Sequence, residues 1–542
     1  MKNLSLSVCC VFATVLGFNA QGQAPVSKWQ KTFGGSSDDF TGVPSKVTMV
    51  DRDGAYLMAG QTGSTDGDIT GLHVGGQFTN PDIWVSKLDS QKNILWSKCL
   101  GGIDAEELGS MELAHDDGYI IAGYAVSNAG QVTGNHGSGD AWIVRLDNSG
   151  NIVWQKCYGG SKNENAQCIA KTSDGYIFAG TTFGSTDGDV SGSHGVGRDI
   201  WVVKIDKNGV LQWQKCLGGT GWDVPTDIKV APDGGFVVTG MTASNDGDVS
   251  GLHGTNDIWV VKLTSAGAIE WQKCLGGTGD DQSGGVKVTA AGNYIVTGYT
   301  KSNDGDVSGH HGTNATIDDY DAWVVSLSAS GNILWQKCFG GTGNDQFNDL
   351  QILSDQTIVA AGATESNDGD VSGLIGFHNA WLVKFDNTGS IIWQQVLGTT
   401  GAEDATTLSI TATGNFILGG TSYDLVGSTY QNMWMCEAGF TNPVVRMSTN
   451  AGPVITRAEV VSSVYPNPAK GNIYLKLQGA VEGNVQVQVL DQQGRLITAK
   501  QFGEQHTAAF NAPLDLGTLS KGSYLLRVIV KDKTYMHKLL IQ

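Results

Sequence analysis

The sequence predicts an all-β protein, a seven-bladed β-propeller followed by a small C-terminal β-sandwich. Fourteen of the 15 tryptophans form two interleaved series with most steps of 58 or 59 residues, which indicates one supersecondary unit copied along the chain. The 76 glycines and a charged fraction of only 16% are typical of strands and turns and not of helices. The two series are Trp29, Trp96, Trp154, Trp213, Trp271, Trp335, Trp393 and Trp84, Trp142, Trp201, Trp259, Trp323, Trp381, Trp434.

The repeat from residue 213 to 271 shows the predicted unit. The strand of Trp213 ends at a Gly-Gly pair, and strand-like runs follow at residues 227–230, 236–240 and 257–263. Four strands per unit are typical of a propeller blade. Only antiparallel neighbours can be joined by a few residues, so the two short turns define two hairpins. Both longer connections, with the variable and acidic sequence, are therefore expected on the opposite side of the disc.

The repeats also predict how the ring closes. They begin at the strand of Trp29 and end at that of Trp434, so the last blade has three strands of its own and the chain opens with one spare. Residues 28–33 are expected to pair with residues 432–437, because this pairing removes the exposed edges of an open sheet. We expect all fourteen indoles to fill the core between blades, each contributing roughly 2 to 3 kcal/mol.

Four segments are predicted along the chain: a signal peptide (1–24), the propeller (25–440), a linker (441–459) and a C-terminal domain (460–542). Lys2 precedes an apolar stretch from Leu4 to Phe18, and small residues follow around Ala20, which is the order found in secretory signal peptides. No later run of about 18 apolar residues occurs, so no transmembrane segment is expected in the mature chain.

Charge and cysteine placement exclude several classes of function. The net charge is −19, while residues 460–542 carry nine Lys and Arg against five Asp and Glu, so the repeats are strongly acidic. This balance argues against nucleic acid as a partner and leaves cations, cationic surfaces or neutral glycans. Equivalent positions on packed blades lie about 10 Å apart, too far for disulfides. Buried free thiols are therefore expected at the one repeat position that holds Cys99, Cys157, Cys216, Cys274 and Cys338.

One copy of the repeat contains the sequence blocks 226–228, 235–240, 242–245, 257–263 and 274–277. These blocks resemble the bacterial β-propeller repeat family of secreted proteins, and the resemblance extends over about three quarters of the chain. It implies the propeller fold. Families of this kind are defined by architecture, so the resemblance implies little about function.

The C-terminal domain has motifs of its own. Its strand-like runs predict a small β-sandwich and are residues 473–477, 485–490, 496–500, 524–530 and 535–541. Its motif residues are Tyr465, Pro466, Asn467, Pro468, Asp491, Gly494, Arg495, Gly522, Tyr524 and Lys538. These motifs are similar to the type A C-terminal sorting domain of type IX secretion substrates. The resemblance implies passage to the periplasm of a Gram-negative bacterium, recognition by the type IX secretion machinery, and release or attachment to surface lipopolysaccharide.

Five acidic loops with the pattern D-G-D-[VI]-[ST]-G are candidate calcium (Ca²⁺) sites. Their carboxylates alternate along a tight loop that contains glycine, as calcium ligands do. In one copy Asp257 falls twelfth, where a calcium loop has its closing carboxylate. Two interpretations stay open, calcium in at least one loop or hydrogen-bonded turns without metal. The candidate ligands are Asp66, Asp68, Asp187, Asp189, Asp246, Asp248, Asp257, Asp304, Asp306, Asp368 and Asp370.

An acid stands ten residues after each tryptophan of the first series, and its presence in all seven repeats predicts capping of backbone N–H groups. These acids are Asp39, Glu106, Glu164, Asp223, Asp281, Asp345 and Glu403. A ligand site has to break the symmetry, because one ligand meets only a few blades. An exposed aromatic beside carboxylates suits stacking on a glycan, and packing between blades is an equal alternative. The candidate ligand-binding residues are Trp222, the tryptophan outside both series, and Asp318, Asp319 and Tyr320 in an insertion of the fifth repeat.

These features predict a secreted or cell-surface propeller that acts as a binding or scaffold module. Surface glycan and lipopolysaccharide are its candidate ligands, and the type IX secretion machinery is its export partner. The alternative is a glycan-active hydrolase or lyase that uses carboxylates on the acidic face. No Ser/His/Asp set, nucleotide-binding loop or zinc signature stands out, so no catalytic residue is assigned.

Overall fold

The computed structural model describes residues 24–42, 46–73, 80–312, 319–423, 430–440, 461–465, 473–491, 495–516, 519–531 and 533–541. The chain divides into two units, Met1–Pro443 and Val444–Gln542. The described residues of both units form strands and connections without a helix, so the all-β prediction is confirmed. Apart from Ala24, the segments assigned to a signal peptide and a linker lie outside the described residues.

The first unit contains seven antiparallel sheets, which are the seven blades. The chain opens with β1 (Val26–Phe33). Blade one contains β2 (Asp39–Phe40), β3 (Thr48–Val50), β4 (Tyr56–Thr62), β5 (Asp82–Leu88) and β6 (Ile94–Leu100). Blade two contains β7 (Glu106–Leu113), β8 (Tyr119–Ala125), β9 (Asp140–Leu146) and β10 (Ile152–Tyr158). Blade three contains β11 (Cys168–Lys171), β12 (Gly175–Thr182), β13 (Asp199–Asp206) and β14 (Leu211–Leu217).

The other four blades repeat this plan. Blade four contains β15 (Asp223–Val230), β16 (Phe236–Thr242), β17 (Asp257–Leu263) and β18 (Ile269–Leu275). Blade five contains β19 (Asp281–Val288), β20 (Tyr294–Thr300), β21 (Asp321–Leu327) and β22 (Ile333–Phe339). Blade six contains β23 (Asp345–Ile352), β24 (Ile358–Thr364), β25 (Asn379–Phe385) and β26 (Ile391–Leu397). Blade seven contains β27 (Ala402–Ile410), β28 (Phe416–Tyr423), β29 (Gln431–Gly439) and β1.

The first strand of each blade is innermost, and in blade four it is longer than its sequence run. The predicted run 227–230 belongs to β15, which begins at Asp223 and contains an irregularity between Pro225 and Asp227. This irregularity interrupts the apolar alternation, so the pattern of the sequence starts only after it. The four added residues bring the capping acid into the strand, next to the channel.

The two middle strands of a blade are buried on both faces, because each blade packs between two neighbours. Strand β17, for example, is buried along its whole length. A glycine in the second strand permits close packing, since a Cβ on Gly240 would lie 2.1 Å from the Val224 carbonyl oxygen. The innermost strands thereby stay close to the second strands around the ring.

The ring closes between blades seven and one. Strand β1 pairs with β29 from Trp29 opposite Glu437 to Phe33 opposite Met433. On the inside, Thr48 Oγ1 and Thr407 Oγ1 share a hydrogen bond of 2.7 Å. The first and last repeats are therefore joined at the outer edge and beside the channel.

The two tryptophan series both pack against the cores between blades, as expected, but they are buried to different degrees. The second series is 0–1% exposed and packs between blades. The first series lies on the outermost strands and is half-buried, apart from Trp393 at 5% exposure. Trp96 and Trp271 also donate from Nε1 to carbonyls of the next blade, Asn148 and Ala329, each at 3.1 Å. These two indoles therefore link neighbouring blades at the outer edge of the disc. They are only half-buried because an outermost strand has solvent on one side.

The cysteine prediction is confirmed. All described cysteines are free and buried. Burial raises the pKa of the Cys99, Cys157, Cys216 and Cys274 thiols to about 12. These thiols are therefore un-ionised packing groups at neutral pH.

The second unit is a small β-sandwich of five strands. They are β30 (Val461–Tyr465), β31 (Ile473–Leu490), β32 (Leu496–Leu514), β33 (Gly522–Val530) and β34 (Lys533–Ile541). The sequence predicted separate strands at 473–477 and 485–490, whereas β31 is continuous. It pairs with β30 in its first part and with β33 in its last part, with register shifts between them. Such irregularities bend a strand, so one strand serves both halves of the sandwich around one apolar core.

Candidate functional site

The innermost strands of all seven blades surround a narrow axial channel. Its cavity is only about 40 Å³ and is lined by lysines and acids from different blades. Lys46 Nζ lies 3.1 Å from Glu112 Oε2, and Lys287 Nζ lies 2.8 Å from Asp349 Oδ1. Burial would raise the pKa of Asp227, but its neighbouring lysines hold that pKa below its usual value. The channel is thus filled by balanced ion pairs and leaves no room for a ligand.

A larger cavity of about 350 Å³ opens at one end of this channel. Blades three to seven contribute to it, and it shares Thr226, Gly284, Asn348 and Thr406 with the channel lining. We call this cavity the mouth. Its wall contains apolar groups, amides and two charged residues, Arg198 and Asp404.

Three repeat positions build the wall of the mouth. One is the residue before the third strand of a blade, which lines the mouth as Arg198 in blade three. Its equivalents Asn256, Tyr320 and His378 lie outside the lining, where Tyr320 and His378 contact the lining residues Tyr299 and Asp404. A second follows the capping acid, and it is Val224, Gln282, Gln346 and Asp404 in blades four to seven. The third pairs with the second across the blade and includes Met241 and Tyr299. The backbone is the same at each copy while the side chain changes, so the mouth is where the ring loses its symmetry.

Trp222 and Arg198 form one wall of the mouth. Trp222 directly precedes β15 and is 54% exposed. The Arg198 guanidinium carbon lies 4.6 Å from the Trp222 ring centre and 4.4 Å from that of Phe183. The Asp223 N–H donates to the Arg198 carbonyl at 2.6 Å, which ties the two segments together. Arg198 makes no salt bridge with any described residue, so its charge stays available to a ligand.

The insertion in blade five contributes an aromatic pair. Tyr320 lies with its ring centre 4.5 Å from that of Tyr299, which lines the mouth. Burial, followed by the charges of Glu365 and Asp404, raises the pKa of Tyr320 to about 12. Asp319 has a buried Oδ1 without a hydrogen-bond partner, and Asp318 lies outside the described residues. Trp222 thus lines the mouth, and Tyr320 supports it from behind Tyr299.

His378 neutralises the only carboxylate among the described residues of the mouth wall. Its Nε2 contacts Asp404 Oδ1, and its Nδ1 lies 3.3 Å from Glu365 Oε1. Burial alone would lower the pKa of His378, but hydrogen bonds to Asp404 and Glu365 raise it to about 10. The imidazolium is therefore charged at neutral pH and paired with Asp404. Sequence analysis did not find this pairing, because the two residues lie in different blades.

The first aspartate of each acidic loop has a hydrogen-bonding role. Asp246 Oδ1 accepts from the Thr220 N–H at 2.8 Å, and its Oδ2 accepts from Thr220 Oγ1 at 2.9 Å. Backbone hydrogen bonds likewise lower the pKa of Asp187, Asp246 and Asp304. The equivalent bonds from Ser36, Ser161, Thr278 and Thr342 go to Asp66, Asp187, Asp304 and Asp368. These aspartates hold each loop against the Gly-Gly loop that precedes the blade.

The second aspartates are placed differently. Asp68 pairs with Lys31 at 3.0 Å. A carboxylate oxygen without a hydrogen-bond partner is buried at Asp248, Asp306 and Asp370. Asp257 lies at the start of β17 and its Oδ2 contacts His253 Nδ1 at 2.7 Å. Across the described ranges, no group of three or more His, Cys, Asp or Glu is arranged to hold a metal ion. Calcium binding at these residues and at Asp189 stays a prediction.

The predicted role of the seven symmetric acids is confirmed. Each accepts a hydrogen bond from the backbone N–H four residues earlier, as Asp223 Oδ2 does from Gly219 at 2.9 Å. The other donors are Gly35, Gly102, Gly160, Gly277, Gly341 and Thr399. These acids fix the Gly-Gly loops and are structural.

The second unit positions its motif residues at turns and strand ends. Asp491 accepts from Arg495 through the backbone N–H at 2.9 Å and through Nε at 2.6 Å, which closes the turn before β32. Tyr524 in β33 donates from its hydroxyl to the Ser520 carbonyl at 2.8 Å. Tyr465 ends β30, Gly522 begins β33, and Lys538 pairs with Leu525. Pro466, Asn467, Pro468 and Gly494 lie outside the described residues.

Residues 463–542 match the family described as the secretion system C-terminal sorting domain. This unit is a type IX secretion sorting domain. The sorting domain marks the chain for export through the type IX machinery to the cell surface or the extracellular space. The described part of the chain contains no helix that could cross a membrane.

The whole chain is also similar to other proteins. It is 25% identical over 424 residues to the regulatory protein FlaEY of Caulobacter vibrioides, which is 70% of this chain and 43% of FlaEY. The chain therefore spans less than half the length of this relative.

The chain is also similar to two solved structures. A fungal alcohol oxidase of the AA5 family in complex with copper is 14% identical with a TM-score of 0.43, covering 96% of this chain and 100% of that one. PorZ, a surface component of the type IX secretion system of Porphyromonas gingivalis, is 10% identical with a TM-score of 0.38, covering 93% of this chain and 60% of PorZ.

Proposed function

We propose that this protein is an exported binding module that holds an acidic saccharide at the mouth of its propeller. The observation that carries the proposal is the exposed indole of Trp222 beside the unpaired guanidinium of Arg198 on one wall of the mouth. The cavity volume of about 350 Å³ falls within the range of small-ligand sites and suits one or two sugar rings.

The remaining wall suits the faces and hydroxyls of a sugar. Tyr299, Met241 and Pro225 give apolar surface for C–H groups, and amides at Gln282 and Gln346 supply donors and acceptors. Aromatic rings with a polar edge are well suited to a sugar ring, which has an apolar C–H face and hydrated hydroxyl groups. The mouth thus offers stacking and hydrogen bonding together.

Charge narrows the ligand class. Arg198 and Asp404 are the charged residues among the described lining, and His378 already pairs with Asp404. Arg198 is therefore the charged lining residue that has no ion-pair partner among the described residues, in a chain of net charge −19. A guanidinium binds carboxylate in a planar, two-pronged geometry. A uronic acid, which has a sugar ring and a carboxylate, meets both demands.

A saccharide array with the full-length exported protein tests this function. The protein should bind acidic oligosaccharides, and Trp222→Ala should weaken that binding at least tenfold, because stacking on the indole is lost. Leu334→Ala is the matched control, since Leu334 is also 54% exposed but lies on an outermost strand. Equal binding by wild type and Trp222→Ala would refute a site at the mouth.

The alternative of a glycan hydrolase or lyase has weaker support. Glycoside hydrolysis uses two carboxyl groups that flank the scissile bond. Asp404 is the only carboxylate among the described residues of the mouth wall, and it is paired with His378. We therefore favour binding without turnover, and no release of reducing sugar is expected from bound oligosaccharides.

A further inference from the structure

Buried carboxyl groups of neighbouring blades lie next to each other at the junctions between blades. They do not line the mouth. The first residue of the third strand in one blade lies beside the capping acid of the next blade. In the pairs between blades one and six, both members are 0% exposed. The pairs are Asp82 with Glu106, Asp140 with Glu164, Asp199 with Asp223, Asp257 with Asp281 and Asp321 with Asp345.

Two junctions replace the aspartate by asparagine. Between blades six and seven, Asn379 donates from Nδ2 to Glu403 Oε2 at 2.9 Å. Between blades seven and one, Asn432 takes the same position beside Asp39, and there Oδ1 is the amide atom nearest to Gly34. The Asn379 junction therefore shows that this repeat position donates a hydrogen bond to the capping acid of the next blade when its side chain has a hydrogen to donate.

The Asp82 junction has the same geometry without that hydrogen. A Cβ built on Gly101 would lie 2.5 Å from both Asp82 Oδ1 and Glu106 Oε2. A Cβ built on Gly398 would lie 2.9 Å from Asn379 Nδ2 and 2.3 Å from Glu403 Oε2. Asp82 Oδ1 and Glu106 Oε2 thus lie beside Gly101 as Asn379 Nδ2 and Glu403 Oε2 lie beside Gly398.

The other contacts leave Asp82 Oδ1 without a donor. Asp82 Oδ2 accepts from the His73 backbone N–H at 3.0 Å and contacts His73 Nδ1 at 2.7 Å. Glu106 accepts through Oε2 from the Gly102 N–H at 2.7 Å and through Oε1 from the Ser127 N–H at 3.2 Å. Asp82 Oδ1 is buried and has no hydrogen-bond partner. Two buried acceptors face each other here, which is costly unless one of them is protonated.

Histidine and aspartate change together from repeat to repeat. All five aspartate junctions have a histidine that contacts Asp Oδ2 through Nδ1. At the Asn379 junction Ile375 stands in its place, and the Ile375 N–H donates to Asn379 Oδ1 at 3.0 Å. The histidine therefore contacts Oδ2 of the aspartate. The atom next to the acid of the following blade is Oδ1 at an aspartate junction and Nδ2 at the Asn379 junction.

We propose that the Asp82 and Glu106 carboxyl groups share one bound proton, which lies where the amide hydrogen of Asn379 lies at its own junction. The proton makes Asp82 the donor and Glu106 the acceptor, as in other pairs of adjacent carboxyl groups.

The surrounding titratable groups agree with this assignment. Burial raises the pKa of both Asp82 and Glu106, and the charge of Asp82 adds to the rise at Glu106. The other groups that face the pair are His73, the Cys99 thiol of β6 and the Cys157 thiol of β10. A raised pKa means that the stabilisation is present at low pH and is lost as the pH rises through the folded-state value.

A bound cation between the carboxylates is the competing explanation. It would require further ligands around the pair, and Gln131 occupies the position that Asp248 holds at another junction. The described ranges contain no arrangement of three such ligands that could hold a metal. A chelator distinguishes such a cation from a shared proton in the experiment that follows.

The experiment compares thermal unfolding of the full-length protein, Asp82→Asn and Asn379→Asp at pH 5 and pH 8. Asp82→Asn should raise the midpoint at pH 8 and change it little at pH 5, because the amide supplies the hydrogen at every pH. Asn379→Asp should lower the midpoint more at pH 8 than at pH 5. If Asp82→Asn lowers the midpoint equally at both values, or if a chelator lowers the wild-type midpoint and not that of Asp82→Asn, the proposal is overturned.

Infrared spectra provide a second test that does not depend on folding of a variant. The wild-type protein at pH 7 should show the C=O stretching band of buried protonated carboxylic acids, and the band should disappear on titration to alkaline pH. Its absence at pH 7 would overturn the proposal. Both readouts are independent of saccharide binding, so failure here leaves the proposed function untouched.

Discussion

Arg198 lies with its guanidinium carbon 4.6 Å from the ring centre of Trp222. The two residues belong to different blades, Arg198 just before β13 of blade three and Trp222 just before β15 of blade four. A contact of this kind contributes about 0.5 to 1 kcal/mol at an exposed site. This wall of the mouth therefore forms when two blades pack, and the closed ring positions the proposed ligand site.

Buried and exposed tryptophans should differ strongly in their effect on stability. Trp259→Ala should reduce the free energy of unfolding by about 3 to 5 kcal/mol, because it leaves a cavity between blades. Trp222→Ala should cost no more than about 1 kcal/mol, the value of its contact with Arg198. Urea unfolding of both variants measures this difference. Similar losses would mean that Trp222 is a packing residue.

The repeat spacing predicted the blades well, because tryptophan and glycine recur at positions that every blade needs. The capping acids and the free thiols followed from the same periodicity. The site was harder to predict. Trp222 stands out by breaking the series, but Arg198, Tyr299, His378 and Asp404 each occupy an ordinary repeat position.

The missed residues become neighbours only when separate blades meet around the channel, and no local pattern shows this. One signal could have found them: variable residues next to the constant capping acid and next to the start of the third strand. The long strand β31 was missed for a different reason. Its register shifts interrupt the alternation of apolar residues, so the sequence reads as two strands.

The pH dependence of the mouth should be governed by His378. Its pKa is raised to about 10 by Asp404 and Glu365 against the effect of burial. The stabilisation by this charged group is fully present below its ordinary pKa of 6.5 and is lost as the pH rises through about 10. Nitrogen NMR of labelled histidine should show an imidazolium at pH 8 that is absent in His378→Gln. A neutral His378 ring at pH 8 would contradict the charge balance of the mouth.

Export should depend on the second unit and folding of the propeller should not. Deletion of Val444–Gln542 leaves every strand of the seven blades in place. The truncated protein is therefore expected to fold and to accumulate in the periplasm, as cell fractionation would show. A deletion of residues 334–338 in β22 serves as a control that should prevent folding. Normal surface delivery of the truncated protein would contradict the assigned sorting role.

Calcium binding by the acidic loops is tested by a chelator at fixed ionic strength. We expect the chelator to lower the melting midpoint, because the buried oxygens of Asp248, Asp306 and Asp370 accept no hydrogen bond from the described residues. One site at tenfold saturation would add about 1.4 kcal/mol. Replacing Asp246 and Asp248 by Asn should reduce the chelator effect. Identical melting curves with calcium and with chelator would identify these loops as hydrogen-bonded turns.

We propose that the mouth binds an acidic saccharide through Arg198. Isothermal titration of the full-length protein with an oligouronate and with its neutral parent oligosaccharide measures the contribution of the carboxylate to binding. Wild type should bind the oligouronate at least tenfold more tightly, and Arg198→Gln should bind both equally, because the charge contact is lost while stacking on Trp222 remains. Equal affinity of wild type for the two oligosaccharides would contradict the assigned ligand class, and no heat of binding from either would contradict the site itself.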